Sequence, residues 1–110
     1  MIDWTRITLL RQEIGPADFE EVVEIFLEEV ETELAALHAN ATPDTLEARL
    51  HFLKGSALNL GFTDFSELCR KGEITAARGA VATVDIAPIV DSYSRSKSEF
   101  LRDLPRITSD

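Results

Sequence analysis

The sequence predicts an all-α fold, an antiparallel up-down-up-down four-helix bundle with a short additional N-terminal helix. Three observations predict it. Glycine and proline break the chain at Gly15-Pro16, Thr42-Pro43, Gly61, Gly79 and Pro105. Every piece repeats its apolar residues at three- and four-residue steps, never in alternation. The joins are short, which sets neighbouring helices antiparallel.

The first piece opens at Asp3, a good N-cap, and puts Trp4, Ile7, Leu10 and Ile14 on one stripe. Gly15 can end it, and Pro16 suits the first turn of the next helix. The second helix is long. Phe19, Val22, Val23, Phe26, Val30, Leu34 and Leu37 form its apolar face through about residue 39. Thr42, Pro43 and Asp44 read as N-cap, first helical residue and an acid at the positive helix end. Leu46, Leu50, Leu53, Ala57 and Leu60 are the buried stripe of the third helix, which Gly61 ends. Thr63 is expected to cap a fourth helix with Phe65, Leu68, Cys69 and Ala76 inward. Gly72 within it costs about 1 kcal/mol in helix propensity, a cost that a close helix contact would explain. A fifth helix starts near Asp85 and carries Ile86, Ile89, Val90, Tyr93, Phe100, Leu101 and Leu104 before Pro105 stops it. Pro88 falls in its first turn, where a missing N–H does little harm.

Length and charge narrow the function. A chain of 110 residues, 45% apolar and 28% charged, fits one domain over residues 1–110 with one modest core. Met1, at the head of the first helix, reads as a natural start. No apolar run approaches the roughly 20 residues a membrane span needs, and no signal peptide pattern opens the chain. A single cysteine, Cys69, fits a reducing cytoplasm and a buried structural thiol. The net charge is −9. Eleven acids and no Lys or Arg lie between Arg11 and Arg49, a surface that repels nucleic acid. A solvated helix face is the plain explanation of these acids; steering a basic partner is the other.

The informative segment is Leu50-His51-Phe52-Leu53-Lys54-Gly55-Ser56-Ala57-Leu58-Asn59-Leu60-Gly61. At about 100° per residue, Lys54, Gly55 and Leu58 fall within roughly 60° of His51, away from the core stripe. An imidazole there is open to another protein and can act as a nucleophile while its second nitrogen is held by hydrogen bonding. Lys54, one turn on, is placed to meet phosphoryl oxygens. Gly55 leaves no side chain beside the ring. Ser56 points toward its own helix or a neighbour. Each residue alone has an ordinary explanation, as His38 on the acidic helix does; the conjunction on one face is what points to chemistry.

This segment resembles the signature of histidine-containing phosphotransfer (HPt) domains, His-x-x-Lys-Gly-Ser/Ala followed by a glycine five residues later. Leu68-Cys69 is similar to the family's fourth helix. The resemblance covers about residues 46–73 as motif and the whole chain as a five-helix layout. It implies that His51 takes a phosphoryl group on Nε2 from a histidine kinase or a receiver aspartyl phosphate and passes it to a response-regulator receiver domain. Lys54 would be the phosphate-facing cation and Gly55 the access residue. The family's Nδ1 partner, a Gln or Glu on the fourth helix, corresponds to Glu73, 22 residues after His51. A glutamate there resembles the phosphotransfer domain of chemotaxis kinases. Phe62 and Gly72 depart from the family pattern. Leu58, Phe62 and Ala48 are expected to ring His51 as an apolar docking patch. The family implies no cofactor of its own, Mg²⁺ coming with the receiver, and a monomer is the default.

No phosphate-binding loop of the G-x-x-x-x-G-K-[ST] kind is present, so the chain is not read as a kinase or other enzyme. A bundle metal enzyme would need paired Glu-x-x-His motifs; Glu47 and His51 supply only two ligands, so no metal site is expected. A non-catalytic adaptor binding receiver domains is the alternative, and the joint presence of His51, Lys54 and Gly55 weighs against it.

Overall fold

The computed structural model describes residues 2–39, 43–79 and 84–108. They form helices α1 (Trp4–Ile14), α2 (Pro16–Ala39), α3 (Pro43–Asn59), α4 (Thr63–Ala77), α5 (Ile86–Asp103) and α6 (Pro105–Thr108). Among the described residues there is no strand, only an isolated bridge between Ile2 and Phe62. The expected cap of α3 at Thr42 lies outside the described residues, as do the side chains of His38 and Asp44.

Asp3 caps α1 as the sequence suggests, and Asp85, where α5 is expected to start, caps that helix. The Asp3 carboxylate accepts from the Arg6 N–H (3.2 Å), and Asp85 accepts from the Ala87 N–H (3.2 Å), each satisfying an amide that its helix leaves open. The start of α4 differs. Helix geometry already holds at Thr63, so Phe62 takes the cap position and provides no side-chain bond. The end of α5 differs as well. Pro105 does not stop the chain's helical course but opens the short α6, a first-turn position where its lost N–H costs nothing.

The core is the set of stripes turned inward: Phe19, Val23, Leu27, Val30, Leu34 and Leu37 from α2, and Leu46, Leu50, Leu53 and Ala57 from α3. Phe65, Cys69 and Ala76 from α4 and Ile89, Tyr93 and Phe100 from α5 close it. Leu101 is exposed, because Phe100 occupies the inward direction next to it. An aromatic layer binds one end of the fold. Trp4 stacks on Phe100 (centroids 5.9 Å apart), Phe62 meets Phe100 edge-on (5.5 Å), and Tyr93 lies between Phe62 and Phe65. Deeper along α5, the Tyr93 hydroxyl donates to Glu31 (2.6 Å), which also accepts from Lys97 (2.7 Å), tying α5 to α2. Those two bonds, Lys97 first, hold the Glu31 carboxyl below its ordinary value.

The α3–α4 join positions the site. Gly61 has φ of +70°, and a Cβ there would stand 2.6 Å from the Asp3 carbonyl oxygen. Only glycine fits such a turn against such a close neighbour. The Phe62 N–H donates to Ala57 O (2.9 Å) and the Gly61 N–H to Leu58 O (3.3 Å), the pairing of a Schellman cap. The Asp3 N–H donates to Gly61 O (2.7 Å), fastening the start of the chain over the turn. The turn sends α4 back along α3, and these two helices make the most extensive contact in the molecule.

Candidate functional site

His51 and Lys54 stand on the outer flank of α3, one turn apart, because the core stripe claims Leu50, Leu53 and Ala57 for the opposite side. The His51 side chain is 69% exposed. Beside it, Gly55 faces open space, with no atom within 4 Å of where a Cβ would lie.

Glu73 reaches this flank from α4. Gly72 is what lets it. A Cβ at Gly72 would stand 3.0 Å from Leu50 Cδ1, so the missing side chain allows α4 to close on α3. The next residue, Glu73, then meets His51 across the helix pair. Its Oε1 lies 2.7 Å from His51 Nδ1. A carboxylate can only accept, so Nδ1 carries the proton and donates, and Nε2 is left with its lone pair.

Lys54 joins the same carboxylate. Its ammonium lies 2.8 Å from Glu73 Oε2, an ion-pair distance, although the approach is off-axis for a well-directed hydrogen bond. The Lys54 side chain is 25% exposed and Glu73 only 18%. Thus the resting ammonium rests on Glu73, within a turn of the imidazole. Burial is the largest influence on the Glu73 carboxyl and pushes it up. The Lys54 ammonium and then the His51 ring outweigh burial together, and the group titrates below its ordinary 4.5. Glu73 is therefore ionised at neutral pH and able to hold both partners.

The expected docking patch divides. Leu58 is 55% exposed, and Ala48 is exposed. Phe62 is not part of any surface: it is fully buried against Tyr93 and Phe100. The reason is the cap. The residue after the positive-φ glycine of a Schellman turn folds back onto the helix it ends, here over Ala57, instead of continuing the helical face. Phe52, which sequence reasoning left out, is 42% exposed next to His51 in the chain. Its signal was available, since it lies about 100° from His51 and off the core stripe.

Cys69, one turn before Glu73 on α4, is buried, and burial with the Glu73 charge pushes its thiol up to about 12. It is a packing residue and no nucleophile. Among the described residues no group of three or more His, Cys, Asp or Glu side chains could hold a metal ion. No helix among them is long and apolar enough to cross a membrane.

Comparison with known proteins adds one finding. The family model described as "Hpt domain" matches residues 21–104, which takes in most of α2, all of α3 to α5 and all of the site residues just described. No curated protein and no solved structure gives a significant match.

Proposed function

The chain belongs to the Hpt domain family, and from that premise we propose that it is a phosphocarrier in a two-component phosphorelay with His51 as the phospho-acceptor. Members of this family serve phosphotransfer in two-component signalling. The observation that carries the assignment to His51 is the pairing of an exposed imidazole with a part-buried carboxylate at its Nδ1, 2.7 Å away.

The transfer follows from that pairing. The Nε2 lone pair attacks the phosphorus of a receiver aspartyl phosphate or of a kinase phosphohistidine. An N–P bond forms as the bond to the donor's oxygen or nitrogen breaks, and the leaving group departs with the electron pair. Nδ1 keeps its proton throughout, and Glu73 offsets the positive charge that develops on the ring. Lys54 moves from Glu73 Oε2 toward the phosphoryl oxygens as their charge arrives, a short step since both lie on this flank. Gly55 leaves the in-line path clear. Onward transfer to a receiver aspartate is the same step reversed. Mg²⁺ belongs to the receiver partner, whose own carboxylates hold it, and the chain itself needs no cofactor and performs no ATP chemistry.

The site belongs to one domain, residues 1–110, built as an up-down-up-down bundle of α2 to α5 and working in the cytoplasm as a monomer. Leu58 and Ala48 belong to the surface that meets a receiver. Glutamate at position 73 supports kinship with the phosphotransfer domains of chemotaxis-type kinases.

The test is labelling. Protein incubated with a phosphorylated receiver domain or a cognate kinase should take up acid-labile, base-stable phosphate, and His51→Gln should abolish it. Receiver binding without any label would instead assign the non-catalytic adaptor role.

A further inference from the structure

Beside the phospho-acceptor runs a groove of about 360 Å³ between α2 and α3. Its floor is apolar and exposed: Phe52 from α3 (42%) and Ile25 from α2 (46%). Its rim is acidic, formed by Glu28, Glu29 and Glu33. Glu33 is neutralised by Arg49, whose guanidinium lies 2.9 Å away. Glu28 and Glu29 are exposed and have no ion-pair partner among the described residues. No Lys or Arg lies anywhere between Arg11 and Arg49 to offset them.

Phe52 and Ile25 face one cleft, so their exposed apolar surface is contiguous and not scattered singly over the helices. Phe52 follows His51 directly, and Gly55, one turn on, lies between their two directions on the helix. Anything seated over Phe52 therefore borders the imidazole. A second copy of this chain is a poor occupant, because each copy would bring the same uncompensated acids on a net charge of −9.

Resting on the phosphocarrier reading, we propose that this groove selects the partner. It takes a receiver domain whose docking face presents an apolar side chain flanked by Lys or Arg. The apolar residue inserts between Ile25 and Phe52, and the basic residues meet Glu28 and Glu29. The apolar pair supplies affinity, and the two carboxylates supply encounter rate and discrimination against acidic receivers.

The experiment separates this from the phosphocarrier reading by using two phosphodonors. Phosphoramidate is small and needs no docking surface, so it reports His51 alone. Receiver domains from the source genome, sorted by the charge of the surface around their acceptor aspartate, report docking. The quantity read is the rate of transfer with a receiver divided by the rate of labelling with phosphoramidate. For receivers with a basic face, Glu28→Lys with Glu29→Lys should lower this ratio about tenfold or more at low ionic strength, with the effect shrinking as salt is added. Phe52→Ala should lower it at low and high salt alike. An unchanged ratio in the double charge reversal, or equal transfer with basic and acidic receivers, overturns the inference while leaving His51 as the acceptor. If phosphoramidate fails to label His51, the phosphocarrier reading falls and the groove's assignment falls with it.

Discussion

Replacing Gly55 separates stability from function, and the structure sets the size of both effects. Glycine within an exposed helix costs about 1 kcal/mol relative to alanine, through backbone entropy alone. At Gly55 nothing offsets that difference, since a Cβ would find no atom within 4 Å. Gly55→Ala should therefore stabilise the fold by about 1 kcal/mol, raising Tm by about 4–8 °C for a domain of this size. Gly55→Leu keeps a good helix former and should also melt no lower than wild type. Its side chain, however, fills the space beside the ring, and obstruction of an in-line geometry costs rate on the order of a hundredfold. The assay pairs thermal or urea melts with the rate of transfer to a receiver that the wild-type protein phosphorylates. Two results would rule out this role for Gly55. A lower Tm in Gly55→Ala would reveal a packing role for the glycine. A Gly55→Leu protein that transfers at the wild-type rate would show that the open space is not an approach path.

The remaining predictions concern the carboxylate and the turn. Glu73→Ala removes the Nδ1 acceptor and should slow phosphotransfer about tenfold to a hundredfold, with Glu73→Gln slowed less because its amide oxygen still accepts from Nδ1; stopped-flow or radiolabel transfer rates check the order. Because the Glu73 carboxyl titrates below 4.5 in the fold, its contribution to stability is present above that pH and is lost as pH falls through the lower folded value. Urea melts should accordingly show the stability gap between wild type and Glu73→Gln closing as pH drops from about 5 to about 3. Gly61→Ala forces a side chain into a φ of +70° and against the Asp3 carbonyl, and should cost about 2–3 kcal/mol or more, read as a fall in Tm.

Periodicity carried the sequence reading wherever a helix ran uninterrupted. The stripe of α3 was legible residue by residue, because Leu46, Leu50, Leu53 and Ala57 repeat with the helix and all are buried. The same phase put His51, Lys54 and Gly55 outward together. It failed where the helix ended. Phe62 lies beyond the positive-φ Gly61, so its direction is set by the cap and not by the phase of α3, and it turned into the core. Leu27, absent from the stripe read in α2, is buried because that stripe is wide enough for a third residue per turn, whereas Leu101 is exposed because its neighbour Phe100 fills the inward position of α5. Glu73 was reached by a spacing of 22 residues, but its contact with His51 depends on how closely α4 approaches α3. That approach is set by Gly72 against Leu50, a residue pair that sequence alone does not bring together. Lys54 shows the same limit. Helical phase fixed its face, whereas the choice of Glu73 as its resting partner is a matter of rotamer and of a side chain on another helix.

Phosphotransfer at His51 depends on one proton and one lone pair: Nδ1 engaged with Glu73, Nε2 open. Nuclear magnetic resonance of the ¹⁵N-labelled, phosphorylated protein reads this directly from the ring nitrogens and the phosphorus. The expected spectrum shows a single phosphohistidine at His51 with phosphorus coupled to Nε2 and a proton retained on Nδ1. Phosphate on Nδ1, or on any residue other than His51, would contradict it.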